Sequence, residues 1–146
     1  MPPSPGSSST TPRVAPVAEG PVQRWARTLN AVDALRARAF ATRNPVLLQQ
    51  VYLPGPLLEA DTALLSRLVP PGCGLTGART RYTDVRVRTR GDRVWVTATA
   101  ALPPSQLICG GRARATAPGA GPSRLRLELA TTSRGPRIAV QVLDSG

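Results

Sequence analysis

Histidine and lysine are both missing from this sequence of 146 residues, in which all 19 basic residues are arginines. Without histidine there is no imidazole for acid–base catalysis and no imidazole metal ligand. The two cysteines cannot by themselves build a four-thiolate zinc or iron–sulfur site. No stretch reaches the roughly 18 consecutive apolar residues of a membrane-spanning helix. We therefore expect no metal site, no cofactor and no transmembrane segment in this chain.

Acidic and aromatic residues are also scarce. Only 8 acidic residues oppose the arginines, so the formal net charge is +11, and the aromatic residues are two tryptophans, two tyrosines and one phenylalanine. Apolar residues make up 41% of the chain, which is enough for one modest core, and the length is typical of a single domain.

The first 20 residues differ in composition from the rest. Proline, serine, threonine and glycine occupy 13 of these 20 positions, so the segment cannot bury enough apolar surface to offset the entropy lost on ordering. We interpret residues 1–20 as a disordered Pro/Ser-rich tail or stalk, and residues 21–146 as one domain. The tail has no basic start followed by an apolar stretch, so the chain carries no predicted export signal.

The first half of the domain has a helical pattern. Apolar residues from Val22 to Phe40 recur at steps of three and four, which predicts a helix from near Pro21 to a break at 42–45. On this helix we expect Trp25 to be buried and Asp33 to pair with Arg36, one turn away. Asn44 and Pro45 suit the start of a short second helix, and a third is predicted over 57–69.

After Cys73 the apolar period changes from 3.6 to 2, which is typical of strands. A hairpin is predicted on either side of the turn at Arg90-Gly91-Asp92, followed by an irregular strand over 106–115, a loop over 117–122 and a strand over 125–129. Ile138, Val140 and Val142 form the last apolar stripe. The pattern predicts an α+β fold with two to three N-terminal helices on one face of a curved four- to five-stranded antiparallel sheet.

The order of these elements, together with certain residues, resembles a known group. These residues are Trp25, Leu29, Ala31, Asp33, Leu35, Arg36, Ala39, Phe40, Asn44, Pro45, Leu48, Val51, Tyr52, Pro54, Gly55, Leu57, Leu58, Asp61, Leu64, Leu65, Gly72, Gly91, Asp92, Leu102, Pro103 and Pro104. Over residues 22–143 the chain resembles a small actinobacterial domain of the cone-shaped α+β superfamily that includes nuclear transport factor 2, polyketide cyclases and ketosteroid isomerase. The resemblance implies a cavity between helices and sheet, and often an extracytoplasmic domain behind a membrane anchor and a Pro-rich stalk. The chain departs from the pattern at Pro136, where the group often has tryptophan before an Arg-Ile pair.

Cys73 and Cys109 allow three interpretations. A disulfide would tie the chain after the third helix to the irregular strand and would need an oxidising compartment. Two buried free thiols are the alternative, and a redox or metal role is the least favoured because no Cys-x-x-Cys spacing is present.

Two groups of side chains are candidates for binding. The first group, which we call the arginine face, is expected on the solvated side of the sheet and comprises Arg86, Arg88, Arg90, Arg124 and Arg126. It would attract an anionic surface or an acidic protein, whereas the few aromatics argue against specific nucleic-acid binding. A solvated sheet face in an arginine-rich protein is the plain alternative. The second group is expected near a cavity and comprises Tyr52, Tyr82, Asp84 and Trp95.

No pair of acids has a diagnostic spacing, and no serine lies in a nucleophile-elbow context, so we assign no catalytic residue. We expect a non-catalytic binding or accessory domain. One alternative is a small-ligand enzyme of the cyclase or isomerase type, in which Asp84 in an apolar pocket would be the base. The other is attachment to a membrane or nucleic acid through the arginine face. An extracytoplasmic location is expected if an anchor precedes this sequence, and a cytoplasmic one otherwise.

Overall fold

The computed structural model describes residues 19–144. The proposed tail over 1–20 therefore falls almost wholly outside the described residues. Two α-helices and a 3-10 helix precede all the strands. Helix α1 spans Pro21–Thr42, the 3-10 helix spans Pro45–Gln50, and helix α2 spans Pro56–Leu68. No described helix is long and apolar enough to cross a membrane.

The helix ends follow the signals in the sequence. Pro21 occupies the first turn of α1, and Arg43 ends this helix in the left-handed conformation. The Asn44 side chain then accepts a hydrogen bond from the Val46 amide at 3.1 Å, and Pro45 opens the 3-10 helix. The break after α1 thus turns the chain towards the sheet.

Within residues 19–144, seven antiparallel strands form two sheets. The bounds are β1 Cys73–Thr76, β2 Arg81–Arg90, β3 Arg93–Leu102, β4 Ser105–Cys109, β5 Arg112–Ala117, β6 Ala120–Thr132 and β7 Gly135–Leu143. One sheet has the order β1-β4-β5 and the other has the order β2-β3-β6-β7. The chain continues from β3 through Pro103-Pro104 into β4, and from β5 into β6. Because β3 pairs with β6 and β4 pairs with β5, these four strands form one long two-stranded ribbon that spans both sheets. The predicted α+β class, with helices packed on sheet, is confirmed.

The irregular strand expected over 106–115 is in fact a hairpin. Gly110 and Gly111 both have positive φ and form the two-residue turn between β4 and β5. Such a turn requires left-handed residues, for which glycine has no steric penalty. The two glycines therefore mark a turn between strands, and the loop expected over 117–122 is shorter because β6 begins at Ala120.

Two β-bulges change which side chains face the helices. In β2 the register shifts between Thr83 and Arg86, where Asp84 has a φ of 49°. In β7 the register shifts so that Ile138 is opposite Leu129 but Val140 is opposite Glu128. An extra residue inverts the alternation beyond it. The predicted apolar stripe is therefore wrong: Ile138 faces the core, whereas Val140 and Val142 face outwards.

The core lies between α1, the 3-10 helix, α2 and the inner face of the sheets. Its largest fully buried side chains are Phe40, Leu29, Leu48, Leu65, Leu127 and Leu129. The chain after the 3-10 helix is fixed to β7 because the Ile138 amide donates to the Val51 carbonyl at 2.8 Å, and the Leu53 amide donates to the Ile138 carbonyl at 3.0 Å. Trp25, expected to be buried, is only half-buried at the edge of this core.

Cys73 and Cys109 are joined by a disulfide. They are directly opposed residues of β1 and β4, and their Cα atoms lie 4.2 Å apart. This is close to the separation of a non-hydrogen-bonded antiparallel pair, in which facing side chains are nearest. The bridge therefore joins two strands, whereas the sequence suggested a link between a loop and a strand.

Candidate functional site

A cleft of about 560 Å³ opens between the helices and the inner face of the four-stranded sheet. Its walls come from α1, the segment after the 3-10 helix, α2, the start of β2 and the inner faces of β6 and β7. Its lining is mainly apolar and includes Val32, Val51, Leu57, Leu64, Leu125 and Ile138. This volume and composition are those of a pocket for a small molecule.

Three polar side chains meet on one wall of the cleft. The Arg36 guanidinium donates to both oxygens of Asp61, at 2.7 and 2.9 Å, which is a bidentate pair between α1 and α2. The Tyr52 hydroxyl donates to Oδ2 of the same carboxylate at 2.9 Å. The Phe40 ring lies under the guanidinium, 4.7 Å from its central carbon. We call Arg36, Asp61 and Tyr52 the polar triad.

Burial and the neighbouring Asp61 carboxylate shift the pKa values of Tyr52 and Arg36. Burial, reinforced by the negative charge of Asp61, raises the pKa of the Tyr52 hydroxyl. Burial alone would lower the pKa of Arg36, but its hydrogen bonds to Asp61 and the charge of that carboxylate together outweigh burial and raise it. At neutral pH the Tyr52 hydroxyl is therefore neutral and the Arg36 guanidinium is positively charged.

A second carboxylate, that of Asp33, lies one helical turn from Arg36 but does not pair with it. Its Oδ2 atom accepts from the Thr80 amide at 2.9 Å and from Arg79 at 3.2 Å. Burial raises the pKa of Asp33, although these hydrogen bonds oppose the rise. Asp33 therefore holds the turn before β2 against α1, and the expected Asp33–Arg36 ion pair is replaced by Arg36–Asp61.

Of the four side chains expected at a cavity, Tyr52 and Tyr82 line this cleft. Burial, together with the nearby charge of Asp33, raises the pKa of Tyr82 to about 12. Asp84 and Trp95 lie elsewhere. Asp84 is the extra residue of the β2 bulge and is exposed, where it accepts from Arg124 at 3.1 Å. Trp95 is on the outer face because Val94 and Val96, its neighbours in β3, point inwards.

Sequence reasoning missed part of the cleft. Asp61 lies 25 residues from Arg36 in the sequence, and only the packing of α1 against α2 brings the two side chains together. Gln141 reaches the inner face because of the β7 bulge, which the alternation of apolar residues does not reveal. Arg67, on the last turn of α2, also lines the cleft.

On the outer face, the structure brings most of the arginine face together. Arg86, Arg88, Arg90 and Arg126 surround Trp95 in a shallow groove, with the Arg126 guanidinium 5.2 Å from the centre of the indole ring. Arg124 lies apart from them, because it donates to Asp84 and Thr99. Among residues 19–144, Arg88, Arg90 and Arg126 form no ion pair. The groove, which Asp144 also lines, therefore carries an excess of positive charge.

The cleft offers hydrogen bonds and apolar contact, and both of its carboxylates are already engaged. Asp61 accepts three hydrogen bonds and Asp33 accepts two, so both carboxylates are held by protein donors. No cluster of three or more Cys, Asp or Glu side chains that could hold a metal ion is found within residues 19–144.

No protein-family model and no curated protein matches this chain. Solved structures that share its fold include the following two. The intermembrane space region of the chloroplast protein ARC6 is 18% identical with a TM-score of 0.53, over 83% of this chain and 97% of that one. Aln2 from a Streptomyces species is 13% identical with a TM-score of 0.53, over 85% of this chain and 92% of that one. At these identities the similarity concerns the α+β fold alone.

Proposed function

We propose that this chain is a non-catalytic binding or accessory domain of the cone-shaped α+β superfamily, and that its cleft binds a small, mainly apolar molecule with one hydrogen-bonding end. The polar triad carries this proposal. It is a rigid polar group on the wall of an otherwise apolar cleft, which is the usual composition of a ligand site. The fold shared with ARC6 and Aln2 is compatible with membership of the superfamily.

The state of the two carboxylates supports binding over the cyclase or isomerase alternative. A general base must be free to accept a proton from a substrate atom within hydrogen-bond reach. Asp61 is neutralised by a bidentate guanidinium and also accepts from Tyr52, and Asp33 accepts from Thr80 and Arg79. The Tyr52 hydroxyl oxygen retains its lone pairs, so it is the triad atom that would accept from a ligand hydroxyl.

The disulfide supports a second part of the proposal, which concerns location. A bridge between opposed strand residues persists in an oxidising compartment and is reduced in the cytosol. We therefore propose that the domain functions in an extracytoplasmic or otherwise oxidising environment.

A neutral, environment-sensitive dye tests binding in the cleft without interference from the arginines. Nile red should bind the protein with a blue shift in its emission. Ala63→Trp places a large ring among the cleft-lining residues, and Ser66→Trp places the same ring on an exposed site of the same helix. We expect Ala63→Trp to weaken binding about tenfold or more and Ser66→Trp to have little effect. Equal binding by both variants would contradict the proposal.

A further inference from the structure

Strand β2 is an edge strand of the four-stranded sheet, because its only partner in the part of the chain described is β3. The β2–β3 hairpin is closed by the two-residue turn Gly91-Asp92, with Arg90 opposite Arg93. In such a hairpin the pair next to the turn is hydrogen-bonded, and hydrogen-bonded and non-hydrogen-bonded pairs then alternate. The backbone groups of Thr89 and Val87 therefore point away from β3, towards the open edge.

The same edge carries a regular row of positive charge. Arg86, Arg88 and Arg90 alternate on the outer face of β2, and all three are exposed. Alternate residues of a strand are about 6.8 Å apart, which is also the spacing of alternate side chains in any extended peptide. Arg88 and Arg90 form no ion pair among the described residues, and Arg86 reaches Asp84 only at 3.8 Å, between two exposed groups.

We propose that the open edge of β2 binds an extended acidic segment of a partner protein as an added strand. The segment would hydrogen-bond to the backbone of Val87 and Thr89, and its carboxylates at alternate positions would pair with Arg86, Arg88 and Arg90. Directly opposed side chains of opposite charge stabilise strand pairs, and like charges destabilise them. The arginines that select an acidic strand therefore also repel the β2 edge of a second copy of this basic chain.

The spacing favours a peptide strand over other anions. A lipid surface or a nucleic acid would use the charge of the arginine face but not the backbone groups of the edge. Only a strand uses both the alternate guanidinium groups and the free N–H and C=O groups between them. Variants that change either the arginine charges or the edge backbone groups, but not both, therefore distinguish a peptide strand from a lipid surface or a nucleic acid.

The probe is a synthetic peptide, acetyl-Thr-Glu-Val-Glu-Val-Glu-Thr-amide, titrated by calorimetry and followed by amide hydrogen exchange. Its controls are a peptide of the same composition with the three glutamates adjacent, and the same peptide with glutamine for glutamate. We expect each control to bind about tenfold more weakly at physiological salt. At saturation by the probe, exchange of the Val87 and Thr89 amides should slow by about tenfold or more, because both become hydrogen-bonded.

Two protein variants complete the test. Thr89→Pro keeps every arginine but removes the exposed amide at the open edge, where proline is tolerated. It should weaken binding about tenfold while its circular dichroism stays unchanged. The triple variant Arg86→Glu/Arg88→Glu/Arg90→Glu should no longer bind the probe. It should instead bind a peptide in which lysine replaces each glutamate of the probe. The proposal would be overturned if Thr89→Pro bound the probe as tightly as wild type and the peptide with adjacent glutamates bound as tightly as the probe. Tighter binding of single-stranded DNA or phosphatidylglycerol vesicles without protection of the edge amides would also overturn it.

Discussion

Removing the Cys73–Cys109 bridge should lower stability by a large, calculable amount. The bridge spans a sequence separation of 36 residues, so it restricts a long loop of the unfolded chain. The chain-entropy treatment of such a loop gives about 4 kcal/mol of stabilisation at room temperature. For a domain of this length that corresponds to about 10–15 °C in melting temperature. The double variant Cys73→Ala/Cys109→Ala removes the crosslink with little loss of packed volume.

Urea unfolding followed by circular dichroism measures this effect. Oxidised wild type should be more stable than reduced wild type by about 4 kcal/mol. Reduced wild type and the double variant should agree within about 1 kcal/mol, and reductant should leave the variant unchanged. Equal unfolding midpoints for the oxidised and reduced wild type would mean that the bridge does not stabilise the fold. The protein can also be alkylated within its native cells before it is isolated. Alkylation of both Cys73 and Cys109 would contradict the proposed oxidising environment.

Three further changes test the structure locally. The first is Asp33→Asn, compared with wild type by urea unfolding across acidic pH. As pH falls through the raised pKa of Asp33, the unfolding free energy of wild type should increase relative to that of the variant, and the increase should be complete below the ordinary pKa of 3.8. The second is Tyr82→Phe, measured by the same assay at alkaline pH. Between pH 10.0, the ordinary pKa of tyrosine, and the Tyr82 pKa of about 12, wild type should lose about 2–3 kcal/mol of unfolding free energy relative to the variant. Gly74→Ala should cost about 1–3 kcal/mol in thermal melts, because its Cβ would clash with the Ala41 carbonyl. Gly20→Ala meets no clash and should cost less than about 1 kcal/mol, the loss expected for alanine at the N-cap of α1.

The helical half of the fold could be predicted from the sequence because its signals are local. Proline at the first turn, asparagine at an N-cap and apolar steps of three and four fix the elements to within a few residues. The second half was only partly predictable. The pair Gly110-Gly111 is compatible both with a weakened strand and with a tight turn between two strands. Which of the two forms depends on whether the flanking segments pair with each other. In the structure the two segments do pair, and β1 docks beside β4 to complete the three-stranded sheet.

The candidate site was predicted less well, because it depends on bulges and on helix packing. One inserted residue at Asp84 and another at position 139 invert the side-chain alternation beyond them. The first leaves Asp84 outside the cleft, and the second brings Gln141 into it. Arg36 could reach either Asp33 or Asp61, and only the crossing of α1 and α2 decides between them. The two tyrosines were predictable as cavity residues because the resemblance implied a space between helices and sheet.

The position of a bound molecule tests the central claim, that the cleft is the ligand site, most directly. Backbone amide shifts recorded during a Nile red titration report where the dye lies. If the dye binds in the cleft, the largest shifts should occur at cleft positions on separate elements, such as Val32, Leu64 and Tyr82, and these shifts should be lost in Ala63→Trp. Shifts confined to the outer groove around Trp95, or undiminished in Ala63→Trp, would contradict the central claim.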